Sequence, residues 1–293
     1  MANVTITGGA TGEVSFGVAS TVGQAAINTL VQLTSSQAGD FAGSGDITVT
    51  GGADRLGLSG VDTVNLTGGT TTVEASATLD HIKVTGGANT IIDSARASVE
   101  TTAGDNVFQL SGASEAVLMG GTNTVFATGN DTITLGGGND TIVESGSATV
   151  TGGSGNFFFR DTGAAAVNVT AGSGSATIIG GSGNDTFFGG TGPVSITGGA
   201  GTNIFNAGFG NETLDGGSST TDTFNFTVGG SAATYDVKNF VSSDTINIAG
   251  FTPAEVLAAS TFANGNTTIS LNGGMVKIEL MGFHLTATNG HIG

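Results

Sequence analysis

The chain of 293 residues contains no cysteine, two prolines and six lysines and arginines. Without cysteine there are no disulfides, thiolate metal sites or thiol nucleophiles, and the redox compartment cannot be read from them. So few prolines, with no Pro/Ser linker, exclude collagen, and the 38% of apolar residues argues against a disordered low-complexity chain. The scarcity of basic residues leaves twenty-three acids and a formal charge of −17. Phosphate backbones and anionic membranes would be repelled, so nucleic acid is excluded as a partner. No run of eighteen apolar residues occurs, and the start, MANVTITGGATGEVSF, lacks the basic and apolar regions of a signal peptide. Membrane insertion is not expected, and an exported chain would carry its address elsewhere.

What the chain has in abundance is glycine, fifty-three of them. They fall at regular intervals behind β-like tetrads: ITVTGG at 47–52, VNLTGG at 64–69, IKVTGG at 82–87, ATVTGG at 148–153 and VSITGG at 194–199. Weaker members, AGDN at 103–106, LMGG at 118–121 and LGGG at 135–138, stand between. From residue 171 the period tightens to nonapeptides: AGSGSATII, GGSGNDTFF, GGTGPVSIT, GGAGTNIFN, AGFGNETLD and GGSSTTDTF. Two nonapeptides make one coil of two short strands and two glycine turns, and stacked coils make a β-solenoid. Successive nonapeptides should lie on opposite walls. Ile178, Ile196 and Leu214 would line one, and Phe187, Phe205 and, after an insertion, Phe224 the other.

The expected fold is therefore all-β, a right-handed parallel β-solenoid of β-roll or β-helix type with a small C-terminal α+β cap. Residues 1–45 form an N-terminal assembly or cap segment with strands and a short helix considered over 21–33, where a strand reading is also open. The solenoid proper spans 46–234. In 235–293, Thr252, Pro253 and Glu255 signal a capped helix, and Asn272-Gly273-Gly274 a hairpin between 267–271 and 275–280.

GGSGNDTFF at 180–188 resembles the GGxGxDxUx nonapeptide of the RTX (repeats-in-toxin) family, matched in part by TGNDTIT at 128–134 and GGGNDTIV at 136–143. The resemblance implies Ca²⁺ held by turn carbonyls and aspartates, with Gly181, Gly183, Asp185, Asn203, Asp222, Asp131 and Asp140 as the matching residues. Other repeats depart from the motif, carrying Ala176, Val194 and Glu212 at the acidic position. The pairs left, Asp185 with Asn203 and Asn203 with Asp222, imply a small number of weak or partial sites rather than a full ladder. Asn-Asp before a strand is also ordinary turn chemistry. The segment YDVKNFVSSDTINIAGF, 235–251, together with the short helix and Gly-rich hairpin after it, looks like the end of many RTX proteins, which implies type I secretion from a bacterium without an N-terminal signal peptide. A plain β cap is the alternative.

Catalysis needs a base, an acid and a charge-stabilising group gathered in one place. The nearest approach is His81, Lys83 and Arg96, joined by no carboxylate pair or nucleophile–base arrangement, and His284 and His291 stand apart, so the chain is read as non-enzymatic. Threonine pairs at 48/50 and 149/151 suit an ice- or crystal-binding face, but Asn65 and Lys83 interrupt the rank. The expected function is that of a secreted extracellular structural protein assembling with itself, head to tail, into a surface layer, matrix or filament, assisted by Ca²⁺. The alternatives are a monomeric module binding cell-surface polysaccharide and a polysaccharide-acting enzyme.

Overall fold

The computed structural model describes residues 4–5, 13–17, 31–33, 38–42, 46–58, 63–76, 78–219, 221–229, 231–287 and 291–293. It falls into two units, residues 1–143 and 144–293. Each is built mainly of short parallel strands in which the chain alternates between two sheets, so that, as far as Thr245–Ala249, every sheet neighbour lies one coil away in sequence. Each unit is a parallel β-solenoid.

In the first unit, strands such as Thr63–Leu66, Arg96–Thr101 and Glu115–Leu118 belong to one sheet, and Thr70–Ala75, Thr90–Asp93 and Asp105–Leu110 to the other. Period-two alternation sends Val64, Leu66, Ile82, Val84, Ile91, Phe108 and Leu110 inward, where they are fully buried. The coil length is fixed by glycine. Gly87, Gly104, Gly121 and Gly138 recur every 17 residues with φ of 87°, 97°, 90° and 95°. A Cβ on each of the last three would also run into the carbonyl of the glycine one coil earlier. These carbonyls instead accept N–H bonds from the next coil, Asp105 to Gly87 at 2.9 Å and Thr122 to Gly104 at 3.0 Å. Only glycine allows both the left-handed backbone and the close stacking.

The second unit carries the nonapeptides. Phe187 pairs with Phe205 and Phe205 with Phe224 in one sheet, while Ile178, Ile196 and Leu214 are in register in the other. All are at most 1% exposed. The sequence places these residues on opposite walls, and the structure does the same. The rings stack at centroid separations of 5.4 and 4.6 Å, and Phe240 continues the column at 5.7 Å. On the outward side Asn206, Asn225 and Asn247 form an amide ladder, with bonds of 3.0 and 2.7 Å.

Solenoid pairing runs past residue 235: Ala233–Lys238 and Thr245–Ala249 extend the two sheets. The expected helix follows as Pro253–Ala258, its capping box closed by Thr252 and Glu255. Asn266–Leu271 and Val276–Leu280 form the expected antiparallel hairpin, with Ser260–Ala263 added outside it. Of the segment considered as an N-terminal helix, Val31–Leu33 is a strand, and residues 21–30 lie outside the described residues. Among the described residues no helix is long and apolar enough to cross a membrane.

Candidate functional site

Where a coil turns a corner, the first inward residue of the new strand is buried beside main-chain N–H groups that the sheet ladder no longer serves. Short Asx side chains meet this need by reaching one coil away. In the first unit Asn89, Asn106, Asn123 and Asp140, each 17 residues apart, share one corner. Asn106 Oδ1 accepts the Asn89 N–H at 3.2 Å and its Nδ2–H at 3.0 Å, and Asn106 Nδ2 donates to Asn123 Oδ1 at 3.1 Å. Asp140 Oδ1 ends the series by accepting from Asn123 N and Nδ2 at 3.1 and 2.8 Å.

The opposite corner holds the other family-like residues. In the second unit the Val167 N–H donates to Asp185 Oδ1, Asp185 N–H to Asn203 Oδ1, Asn203 N–H to Asp222 Oδ1 and Asp222 N–H to Asp244 Oδ1, at 2.8–3.1 Å. The pairs Asp185/Asn203 and Asn203/Asp222 are thus rung neighbours, as expected, but they point inward. Asp185, Asn203 and Asp222 are at most 1% exposed, and the oxygens named here accept main-chain N–H groups. Asn203 also donates Nδ2–H to Ala200 O at 3.2 Å. Gly181 and Gly183 pack against the coil before, where a Cβ would meet the carbonyls of Gly163 and Ala165 respectively. Asp131, at the same kind of corner in the first unit, has both oxygens occupied, by Ser114 N–H at 2.8 Å and Gly129 N–H at 2.9 Å. Burial raises the pKa of Asp131 and Asp140 and pushes Asp185 and Asp222 up to about 6.

Two residues that sequence reading passed over complete the picture. Asp244 extends the ladder, and Asp161 sits one coil before Asp185. Asp161 is 3% exposed; its Oδ1 accepts the Gly163 N–H at 2.7 Å. Its Oδ2, like Asp185 Oδ2, is buried with no hydrogen-bond partner. A Cβ at Gly180 would strike Asp185 Oδ2, and one at Gly181 the Asp161 carboxylate, so the two orphan oxygens lie against successive glycines. The alternation of Phe157, Phe159 and Asp161 in NFFFRD could have signalled an inward acid, but it lies outside the nonapeptide frame. Hard carboxylate oxygens suit Ca²⁺, and the Gly163 carbonyl also lies against Gly181. Among the described residues no three His, Asp or Glu side chains converge as a metal-binding group, so the fit is that of a partial site.

Other candidates separate. Lys83 pairs with Glu100 at 3.7 Å on an exposed face, and His81 lies opposite Ser98, two residues beyond Arg96. Glu212 is buried in the second unit: Oε1 accepts the Gly208 N–H at 2.9 Å, Oε2 has no partner, and burial pushes its pKa to about 7. Phe188 and Phe209, 38% and 50% exposed, line a shallow surface groove with Thr191, Asn206 and Thr227. Comparison with protein-family models finds no match, and comparison with curated proteins finds none either.

Proposed function

We propose that this protein is a secreted extracellular structural protein that assembles with itself into a surface layer, matrix or filament, with Ca²⁺ assisting. The observation that carries the reading is the difference between the ends of the strand stacks. Among the described residues, the outermost strands of the first unit's sheets are Val4–Thr5 and Glu13–Gly17, each paired in parallel with the next coil. In the second unit one sheet ends in the antiparallel strands Asn266–Leu271 and Ser260–Ala263. A parallel stack templates a further strand wherever an edge is left unpaired, and an end of different geometry makes such a contact directional. The acidic composition suits a hard cation as partner, and the likeness to RTX nonapeptides points the same way. Negative-stain microscopy and sedimentation with and without a chelator test this: fibres or sheets in calcium are expected, and a persistent monomer at high concentration would refute it.

The exposed pair Phe188 and Phe209 favours a second reading, a monomeric polysaccharide-binding module, because uncharged grooves with aromatic faces suit sugar rings. A glycan array probed with monomer, and with Phe209→Ala, separates the two.

A further inference from the structure

At the corner where the second sheet passes to the first, the two units place equivalent residues differently. In the first unit Asp93 ends a strand of the second sheet, and Ser114 stands one coil later, just before the strand Glu115–Leu118. The Ser114 hydroxyl donates to Asp93 Oδ2 at 3.2 Å and accepts the Ala97 N–H at 3.3 Å. In the second unit Asp161 ends the strand Asn156–Asp161, and Asp185 stands one coil later, just before Thr186–Phe188. Asp185 reproduces the acceptor role, taking the Val167 N–H at 3.0 Å. It cannot reproduce the donor role, because an ionised carboxylate only accepts.

The consequence is two neighbouring carboxylates, each with one buried oxygen that has no donor at hydrogen-bond distance, the Gly181 main-chain N–H approaching Asp185 without closing a bond. Both are nine-tenths or more buried, and Arg160, next in the chain, faces the exposed side. Leaving two such oxygens bare is costly, and a cation between them removes the cost for both at once.

The geometry points to a divalent cation site formed by Asp161 Oδ2 and Asp185 Oδ2 over Gly180 and Gly181, with calcium as the ion its hard oxygen donors select. This pairs Asp185 with a residue on the preceding coil that lies outside the nonapeptide motif, rather than with Asn203. The Asn203 carboxamide oxygen is already engaged by the Asp185 N–H at 3.1 Å. The inference rests on the calcium part of the proposed function and is independent of assembly. Its readout is the thermal stability of dilute monomer, so failure of assembly and failure of the site are distinguishable.

The experiment is thermal unfolding of the full chain in chelator, in magnesium and in increasing calcium. At a hundredfold excess over the dissociation constant, wild type should gain roughly 5–10 °C in Tm with calcium, and less with magnesium, whose octahedral demands a two-carboxylate corner meets poorly. Asp161→Asn should raise Tm in chelator and abolish the calcium gain. Asp185→Ser, which restores the hydroxyl of the Asp93–Ser114 corner, should do the same, so either variant that folds reads out the site. Asp131→Asn should keep the wild-type gain, because both Asp131 oxygens serve main-chain N–H groups. No calcium gain in wild type would overturn the inference. An undiminished gain in Asp161→Asn or Asp185→Ser, or its loss in Asp131→Asn, would also overturn it.

Discussion

Replacing Asn106 by alanine removes the middle member of the buried corner ladder in the first unit. The Asn89 main-chain N–H loses the Oδ1 it reaches at 3.2 Å, and Asn123 Oδ1 loses the amide that donates to it at 3.1 Å. Asn89 Nδ2 keeps its bond to Gly86 O at 2.9 Å, and Ala103 O keeps that from Thr101 Oγ1 at 3.1 Å, so two groups rather than four are orphaned. All three asparagines are at most 1% exposed, which keeps water from replacing the lost partner. At about 1–3 kcal/mol for each buried unsatisfied group, the loss should be about 2–6 kcal/mol. The control is Asn184→Ala, whose Oδ1 accepts the Thr202 N–H at 2.8 Å between exposed residues, where water can take over. That change should stay within about 0.5 kcal/mol of wild type. Urea unfolding followed by far-UV circular dichroism reads both as a change in midpoint at constant slope. Equal midpoints for Asn106→Ala and Asn184→Ala would refute the reasoning that the ladder is stabilised by exclusion of water.

The same geometry sets the outcome of glycine and acid substitutions elsewhere. Gly190→Ala should destabilise the protein by about 1–3 kcal/mol, since its Cβ would enter the carbonyl of Gly172 on the preceding coil. Gly86→Ala, whose Cβ meets nothing within 4 Å, should be neutral or gain about 0.4–1 kcal/mol; the two midpoints decide whether coil stacking or turn flexibility explains the glycines. Glu212 has its pKa raised from 4.5 to about 7 by burial, so the folded state holds the proton more tightly than the unfolded one. Its stabilising contribution is complete below about pH 4.5 and is lost as pH rises through about 7, a swing of about 3 kcal/mol. Glu212→Gln should remove that swing from the stability profile between pH 4 and 8, and parallel profiles for variant and wild type would sink the assignment.

The strand stack was legible because its signal is repeated: a phenylalanine or a branched aliphatic every second nonapeptide fixes both wall and register, as Phe187, Phe205 and Phe224 do. The capping box at Thr252 and the hairpin at Asn272 were legible because their chemistry is local. The corners were not. Whether an aspartate before a strand points into the core or out into the turn depends on a register of one residue, and a slip of one exchanges the two faces. Asp185 reads as a turn ligand in its nonapeptide yet is 1% exposed. The asparagines at 89, 106 and 123 did carry a signal, a strict 17-residue recurrence two positions after Gly87, Gly104 and Gly121, which a reading by the glycine motifs alone passes over.

The two corner chemistries impose different demands on their surroundings. An asparagine both accepts and donates, so Asn89, Asn106 and Asn123 close a neutral column in which each amide serves the next. An aspartate in the same role accepts with one oxygen and must find a donor for the other. Asp131 finds Gly129 N–H, and Asp244 finds Val241 N–H at 2.8 Å. Asp185 finds none, in the coil where its neighbour Asp161 lacks one too. Asparagine at 185 could hold the Val167 N–H as well as aspartate does, and serine at the equivalent position of the first unit satisfies its neighbour besides. Coil stacking alone is served equally by asparagine or serine at this corner, so the calcium response of Asp185→Ser separates the two roles.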